Sequence, residues 1–528
     1  MNEDLRKSYT RRDFLKTAAA GAVLIGTGAG LTACGNGTAT SSTPAAPSSP
    51  KQGGVLRIGA TGGGAGDFID AGMLVTNTDG LRLYQLYDSL YAFDKNSLPQ
   101  LSLAEEVTPN ADATEWTVRL RSGVTFHDGK DLTADDVIFT FQRILDPKLA
   151  MLGSNFLKTM DITNVKKLDP LTVKIPFQAP FAQFPVCMAT YFYFIVPKGY
   201  DPKHPVGTGP FKFKSFTAGQ QSDFLRNENY WQSGLPHVDE VIISDYEDET
   251  SQLDALNSGQ VDIIDALSAT AIPTVEAAGG KVLIENGQAY NPFTVRVDKA
   301  PFNDIRVRQA FRLVIDRRKM RELVFAGHGA LGNDLFGIYE PTYNHTLPQR
   351  DVDIEQAKSL LKQAGVENLT VTLMIADMAA GSVKAATIFA QQASAAGVTV
   401  KLNQIPVSAL FGPSYKAWTF AQDMWNYNPY LFNTQNATLP GGLFNECHVD
   451  YPPYTKLWKQ LSAAIEPALR VDIAHEMQTM EYDGYASGFM IPYFVPSING
   501  MAKNVMGLTA SKTGNPVGGF DVLNVWLA

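Results

Sequence analysis

Three short motifs in the chain have the residue types for serine chemistry: Ser359-Leu360-Leu361-Lys362, Ser497-Ile498-Asn499 and Lys512-Thr513-Gly514. A lysine one helical turn from a serine can take its proton and create the nucleophile of an acyl-enzyme. The spacing argues against it. Ser359 falls in mid-helix, beyond a cap at Asp353, and the second and third motifs lie close together in the chain. The strained Gly-x-Ser-x-Gly elbow is absent. The seven histidines are scattered, with no His-x-His or His-x-x-x-His pair, so the pattern calls for no protein-made metal centre and no cofactor. A preformed metal chelate, which needs few protein ligands, stays open as something the chain could bind.

The three cysteines stand at 34, 187 and 447, too few for a disulfide framework or a zinc ribbon. Cys187 and Cys447 read as two buried free thiols, with a disulfide between them as the alternative. Cys34 has a different setting. It closes Leu31-Thr32-Ala33-Cys34-Gly35, an aliphatic residue and two small ones before a cysteine, which resembles a lipobox whose cysteine receives lipid. Upstream, Arg11-Arg12-Asp13-Phe14-Leu15-Lys16 resembles a twin-arginine export signal. The Gly/Ala-rich apolar run between them, 18–31, is shorter than the ~20 residues of a spanning helix, and reads as a signal core. Residues 1–34 are thus expected to be a signal peptide ending in the lipobox. Residues 35–52, rich in Gly, Ser, Thr, Ala and Pro, should be a flexible leash.

The elements beyond the leash are those of a mixed α/β body. With 528 residues, 45% hydrophobic and 18% charged, the chain is folded and long enough for more than one core. Its net charge of -9 excludes a nucleic-acid partner, which needs a basic face. Val55-Leu56-Arg57-Ile58 begins a strand. The glycine cluster Gly62-Gly63-Gly64-Ala65-Gly66 lacks the spacing of a dinucleotide fingerprint. Trp116, Val118 and Leu120 alternate with polar residues, and Ser122-Gly123 then predicts a hairpin into Val124-Thr125-Phe126. Thr133 and Asp136 form a capping box ahead of Val137, Phe141, Ile144 and Leu145. Further helices are expected from Asp304 and from Asp353, the latter ending at Gly365. Strands are expected at 369–375 and 398–402. Alternation of this kind points to an α/β fold with several sheets.

Four segments, in order, resemble the peptide- and nickel-type (family 5) solute-binding proteins of ABC importers. They are 116–137, with Leu120-Arg121, Gly123-Val124, Asp128-Gly129 and Thr133-Ala134-Asp135-Asp136-Val137; Gly207-Thr208-Gly209-Pro210-Phe211 with Arg226-Asn227 and Tyr230-Trp231; Ser258-Gly259 with Val261-Asp262; and Pro301-Phe302-Asn303-Asp304 with Arg306-Val307-Arg308-Gln309-Ala310 and Ile315-Asp316-Arg317. The resemblance implies a two-lobed periplasmic-binding-protein-like fold with a hinge. Lobe one would be 53–90, 191–290 and 495–528, with an inserted subdomain at 91–190, and lobe two 291–494. The chain would cross between lobes near Tyr290 and Val495. Arg306 and Arg308 read as surface charges, and Gly207 and Gly209 as suppliers of special backbone conformations.

The resemblance also implies a function: capture of a small solute between lobes, and delivery to the permease subunits of an ABC importer, by a monomer tethered to the membrane through lipid on Cys34. The family default is a di- or oligopeptide. A non-peptide anionic or neutral solute (an opine, a sugar or a metal chelate) is the alternative within that role. The alternative from another class is a serine acyl-enzyme of the penicillin-binding type, which the motif spacing disfavours. Ligand-lining positions implied by the resemblance are Trp425, Tyr427, Asn428, Asn445, Thr76, Asn77 and Thr78. Oligopeptide binders carry an aspartate where this chain has Asn428, and an asparagine where it has Arg296. Arg296 either meets an anion or pairs with a neighbouring carboxylate, and Asp423 or Asp450 could replace the missing acid.

Overall fold

The computed structural model of the protein describes residues 49–528. Arg11, Arg12, Cys34 and most of the linker lie outside the described residues. Residues 49–52 are exposed and without regular structure.

Three sheets organise the described chain. The largest has seven strands in the order Lys281–Asn286, Pro496–Met501, Ile263–Ile264, Val55–Thr61, Glu240–Tyr246, Gln221–Arg226 and Phe211–Thr217. Val55–Thr61 runs parallel to both its neighbours, and the outer pairs are antiparallel. Leu56, Ile58 and Ala60 alternate along this strand and are fully buried on its inner face, while Arg57 between them is exposed. The glycine cluster follows this strand. A Cβ at Gly63 would sit 2.3 Å from the Asp245 carboxyl carbon. Asp245 is held at 2.8 Å by Arg82, whose buried guanidinium also meets Asp67 at 2.7 Å. The small residues thus let this loop close over a buried ion cluster.

A four-stranded antiparallel sheet, in the order Ala104–Pro109, Glu115–Leu120, Thr172–Pro176 and Lys166–Asp169, carries the helix Ala134–Ile144. The capping box forms as expected, with Thr133 N and Oγ1 each donating to Asp136 Oδ2 at 2.8 Å. The hairpin does not form. Glu115–Leu120 pairs instead with Ala104–Pro109 and Thr172–Pro176, and Val124-Thr125-Phe126 closes on the chain just after it, with Phe126 N donating to Lys130 O and Leu132 N to Val124 O. Trp116, Val118 and Leu120 are all buried. A strand with so apolar a face gains more from two long partners than from the three residues beyond its turn.

The third sheet has five strands, in the order Thr399–Gln404, Thr370–Ile375, Phe420–Gln422, Phe293–Val295 and Phe489–Met490. Helices Ile305–Leu313, Ile354–Gln363 and Ser382–Ser394 cover it. Asp304 and Asp353 cap the first two, and Gly365, at φ +71°, follows the second. Arg308 is no surface charge. It is buried and donates to the carbonyls of Phe302 and Gly484, while Arg306 pairs with Asp304. Gly207 and Gly209 have ordinary φ values. They are small because the chain passes close to the end of helix Asn77–Leu86, where a Cβ at Gly207 would lie 2.0 Å from Leu86 O. There Gly209 N satisfies that terminal carbonyl at 3.0 Å.

The chain leaves the seven-stranded sheet at Asn286, enters the five-stranded sheet at Phe293, and returns between Met490 and Pro496. The two passages run side by side: Val495 N donates to Ala289 O at 2.7 Å. Cys187 and Cys447 are both free and buried.

Candidate functional site

Beyond strand Phe420–Gln422 the chain stays extended through 423–428 and alternates. Asp423, Trp425 and Tyr427 are buried, while Met424 and Asn426 are exposed where a cavity opens. This stretch is anchored by a two-bond bridge, with Tyr290 N donating to Trp425 O and Trp425 N to Tyr290 O, both at 2.9 Å. Tyr290 belongs to the first passage between the sheets, so Trp425 is pinned where the chain crosses. Its ring lies parallel to Tyr290 (2° between planes, 6.3 Å between centres) and meets Phe444 and Phe489 edge-on.

Above this stretch opens a cavity of about 320 Å³. One side comes from the region of the four-stranded sheet: the short helix Leu152–Phe156, then Tyr191 and Phe192. The other side comes from the region of the five-stranded sheet, with Phe411, Tyr415, Phe432, Leu443 and Phe444 around the 423–428 stretch. Phe432 stacks on both Phe156 and Phe192 and closes one end.

The floor holds two buried acids. Asp423 Oδ2 accepts from Tyr415 Oη at 2.7 Å and from Trp425 Nε1 at 3.2 Å, and Oδ1 accepts from Met424 N. Glu446, which takes the Thr294 hydroxyl at 3.0 Å, faces Asp423. Burial pushes both carboxyls up, and the Asp423 charge pushes Glu446 further, well above the ordinary range. Two acids this close cannot both ionise. The two carboxyls form a coupled pair that resists ionising together.

The positions expected to line a ligand are not all together. Trp425 and Asn428 line the cavity. The Asn428 Nδ2 makes one long contact, 3.4 Å to Asn426 O, and its Oδ1 is buried with no partner. Tyr427 turns to the other side and lines a second cavity of about 260 Å³ with Glu340 and Arg470. Asn445 spends its amide within its own loop, bonding Leu439 O, Val449 O and Val449 N at 3.0 Å each. Thr76 caps helix Asn77–Leu86, which Asn77 begins, and Thr78 bonds Thr61 O. Arg296 is buried against Asp298 and Lys416 O. Asp450 is exposed, and neither it nor Arg296 lines the cavity.

The rings of Phe156, Phe192, Phe411, Phe432 and Phe444 are the lining that sequence reasoning missed. The one signal was density, as in Tyr191-Phe192-Tyr193-Phe194, and an aromatic run marks a protein core equally well. The serine motifs sit apart: Ser359 is exposed on helix Ile354–Gln363, and Ser497 lies in the seven-stranded sheet. Among the described residues no group of His, Cys, Asp and Glu is arranged to hold a metal, and no helix is long and apolar enough to cross a membrane.

Residues 99–442, more than half of the chain, match the bacterial extracellular solute-binding proteins, family 5 Middle. The chain belongs to this family. This family 5 protein is 30% identical to heme-binding protein A of Haemophilus influenzae over 318 residues, 54% of the chain and 57% of the relative. The match thus spans little more than half of that relative's length. To the glutathione-binding protein GsiB of Pectobacterium atrosepticum it is 27% identical over 436 residues, 75% of the chain and 79% of the relative. The structure of the oligopeptide-binding protein AppA from Bacillus subtilis, in complex with a nonapeptide, superposes with a TM-score of 0.72 at 22% identity, over 91% of this chain and 100% of that one. The two-lobed fold of these periplasmic binding proteins is therefore the fold of this solute-binding protein.

Proposed function

We propose that this protein is the receptor of an ABC importer. It captures a small solute, a di- or oligopeptide by preference, in the cavity above 423–428 and delivers it to the membrane permease. The observation that carries this reading is the cavity itself. It is walled from two sheet systems, and its floor is fastened to the passage at Tyr290. A solute held there contacts both sides, so occupancy and hinge closure are one equilibrium. The peptide reading is supported by the glutathione-binding relative and the peptide-bound neighbour.

In this reading the seven-stranded sheet is the core of lobe one (53–90, 191–290 and 495–528), the four-stranded sheet that of the inserted subdomain (91–190), and the five-stranded sheet that of lobe two (291–494). The protein acts as a monomer and performs no chemistry on its solute. Arg11 and Arg12 direct export, and lipid on Cys34 keeps the receptor near its permease, where a short leash raises the effective concentration.

The test is native mass spectrometry of protein purified gently from its own host, followed by calorimetry with pooled di- to pentapeptides. A small molecule released on unfolding, and heat with peptides, are expected. Protein that carries no small molecule and gives no heat with any pool overturns the reading.

A further inference from the structure

The wall of the cavity carries no lysine, arginine or histidine, and its one acid is Asp423. A carboxylate offers about four acceptor positions. Three donors already hold Asp423, namely Tyr415 Oη, Trp425 Nε1 and Met424 N. Asp423 is 2% exposed, so it cannot turn toward an incoming ammonium without breaking these bonds. An incoming carboxylate would meet the buried acids with no cation on the wall to offset its charge. Arg296, the position expected to meet an anion, is closed off against Asp298 and Lys416 O.

What the wall does offer is rings. Phe156, Phe192, Phe432, Phe444 and Trp425 surround the space, and rings prefer rings, stacked or edge-on. An apolar cavity of ~150 Å³ accommodates benzene, so about 320 Å³ accommodates a larger group of two fused rings. Apart from Tyr415, which is committed to Asp423, the neutral polar side chains on the wall are those of Asn155, Tyr191, Asn426 and Asn428.

We infer that the solute enters this cavity with an uncharged aromatic group, about two rings across, and that no free ammonium or carboxylate of the solute is neutralised there. This rests on the cavity being the solute site, and narrows its solute class: an aromatic residue or aromatic small molecule is selected, and a chain terminus is not.

The test is calorimetry on the full-length mature protein with two probe sets. The first is Ala-Trp-Ala, Ala-Ala-Ala, Ala-Glu-Ala, and Ala-Trp-Ala acetylated and amidated at its ends. The second is 2-naphthylmethanol against 2-naphthoate, the same rings without and with a charge. Ala-Trp-Ala should bind ~10-fold or more tightly than the Ala or Glu peptide, and blocking its ends should change affinity by less than about threefold. The naphthyl alcohol should outbind the naphthoate by a similar ~10-fold margin. Met424→Glu, which sets a carboxylate on the cavity wall at a half-exposed position that does not support the fold, should weaken both neutral aromatic probes. Loss of binding on acetylation, equal binding of Ala-Glu-Ala, equal binding of the two naphthyl probes, or no effect of Met424→Glu each overturns the inference. Binding of Ala-Ala-Ala with no aromatic preference overturns it but leaves the peptide receptor standing. Binding of the naphthyl alcohol with no peptide bound retains it and removes the peptide reading.

Discussion

The indole Nε1 of Trp425 donates to Asp423 Oδ2 at 3.2 Å, and that bond fixes which face of the ring the cavity sees. The edge is committed to the acid, one face lies parallel to Tyr290, and Phe444 and Phe489 meet the ring edge-on; under the proposed function the part left at the cavity meets the solute. Trp425→Ala should weaken binding of the preferred solute by ~1–4 kcal/mol, the range for truncating a buried aromatic anchor. It should leave the far-ultraviolet circular dichroism unchanged. Calorimetry decides, because the chain's six tryptophans blur an optical signal. Unchanged affinity would make Trp425 part of the core alone.

The export address and lipid anchor proposed for residues 1–34 make a separate prediction. Arg11→Lys with Arg12→Lys should leave precursor in the cytosol, because lysine lacks the planar guanidinium fork that a paired-arginine receptor reads. Cys34→Ala should abolish lipid attachment. After a salt wash, full retention of the Cys34→Ala protein in the membrane fraction would show that something other than this cysteine holds it.

Asp334 predicts where acid sensitivity lies. It is fully buried and is met by Arg317 at 2.7 Å, Arg350 at 3.1 Å and Arg312 at 3.9 Å. Burial pushes its pKa up, and the three arginines more than offset that, so it falls below the usual carboxylate value. A carboxyl depressed in the folded state contributes stability that is present above its unfolded pKa and is lost as pH falls through the folded one. Asp334→Asn leaves three arginines without their partner and should cost about 3–5 kcal/mol. Its urea midpoint at neutral pH should fall sharply, and the remaining acid dependence should flatten. A variant with the parent's midpoint would show the cluster to be dispensable.

How much of this was legible beforehand depended on whether the signal was local. Caps at Thr133, Asp304 and Asp353 could be read because a helix start is decided within four residues. The hairpin after Glu115–Leu120 was misread because strand partners are chosen over long distances, and the winners lay both before the strand and beyond residue 170. At the site, Trp425 and Asn428 fell on the cavity because they share one extended stretch. Tyr427, on the same stretch and in the same phase as Trp425, packs instead on Phe93 and a separate cavity with Glu340, an outcome that two-residue alternation does not foretell. Arg308 looked like a surface charge because a sequence does not show that two carbonyls await it.

Asn428 offers a gain of function. Asn428→Asp keeps the shape and puts a carboxylate at a wall that now has none free. Peptides with a free amino end should gain affinity, while their N-acetylated forms should not. Roughly 1–3 kcal/mol is the scale of a charge-assisted hydrogen bond. The comparison is titration of both peptide forms into both proteins. Equal gains for free and acetylated peptides would mean that the new acid does not face the amino end.

Glu446 links the floor of the cavity to pH. Its folded pKa is raised well above the ordinary value, by burial first and the Asp423 charge second. A group raised in the folded state binds its proton more tightly there than when unfolded. Its contribution is fully present below the unfolded pKa and is lost as pH rises toward the folded one. The native protein should therefore lose stability on the alkaline side, as Glu446 loses its proton beside Asp423, beneath Trp425 and Tyr415. Glu446→Gln removes that titration and keeps the geometry. Its amide can donate to Asp423 and its carbonyl can accept from the Thr294 hydroxyl, which Glu446 now receives at 3.0 Å. Thermal unfolding of both proteins between neutral and alkaline pH checks this. The parent's midpoint should decline more steeply with pH than the variant's. Parallel declines would mean that the alkaline loss arises elsewhere.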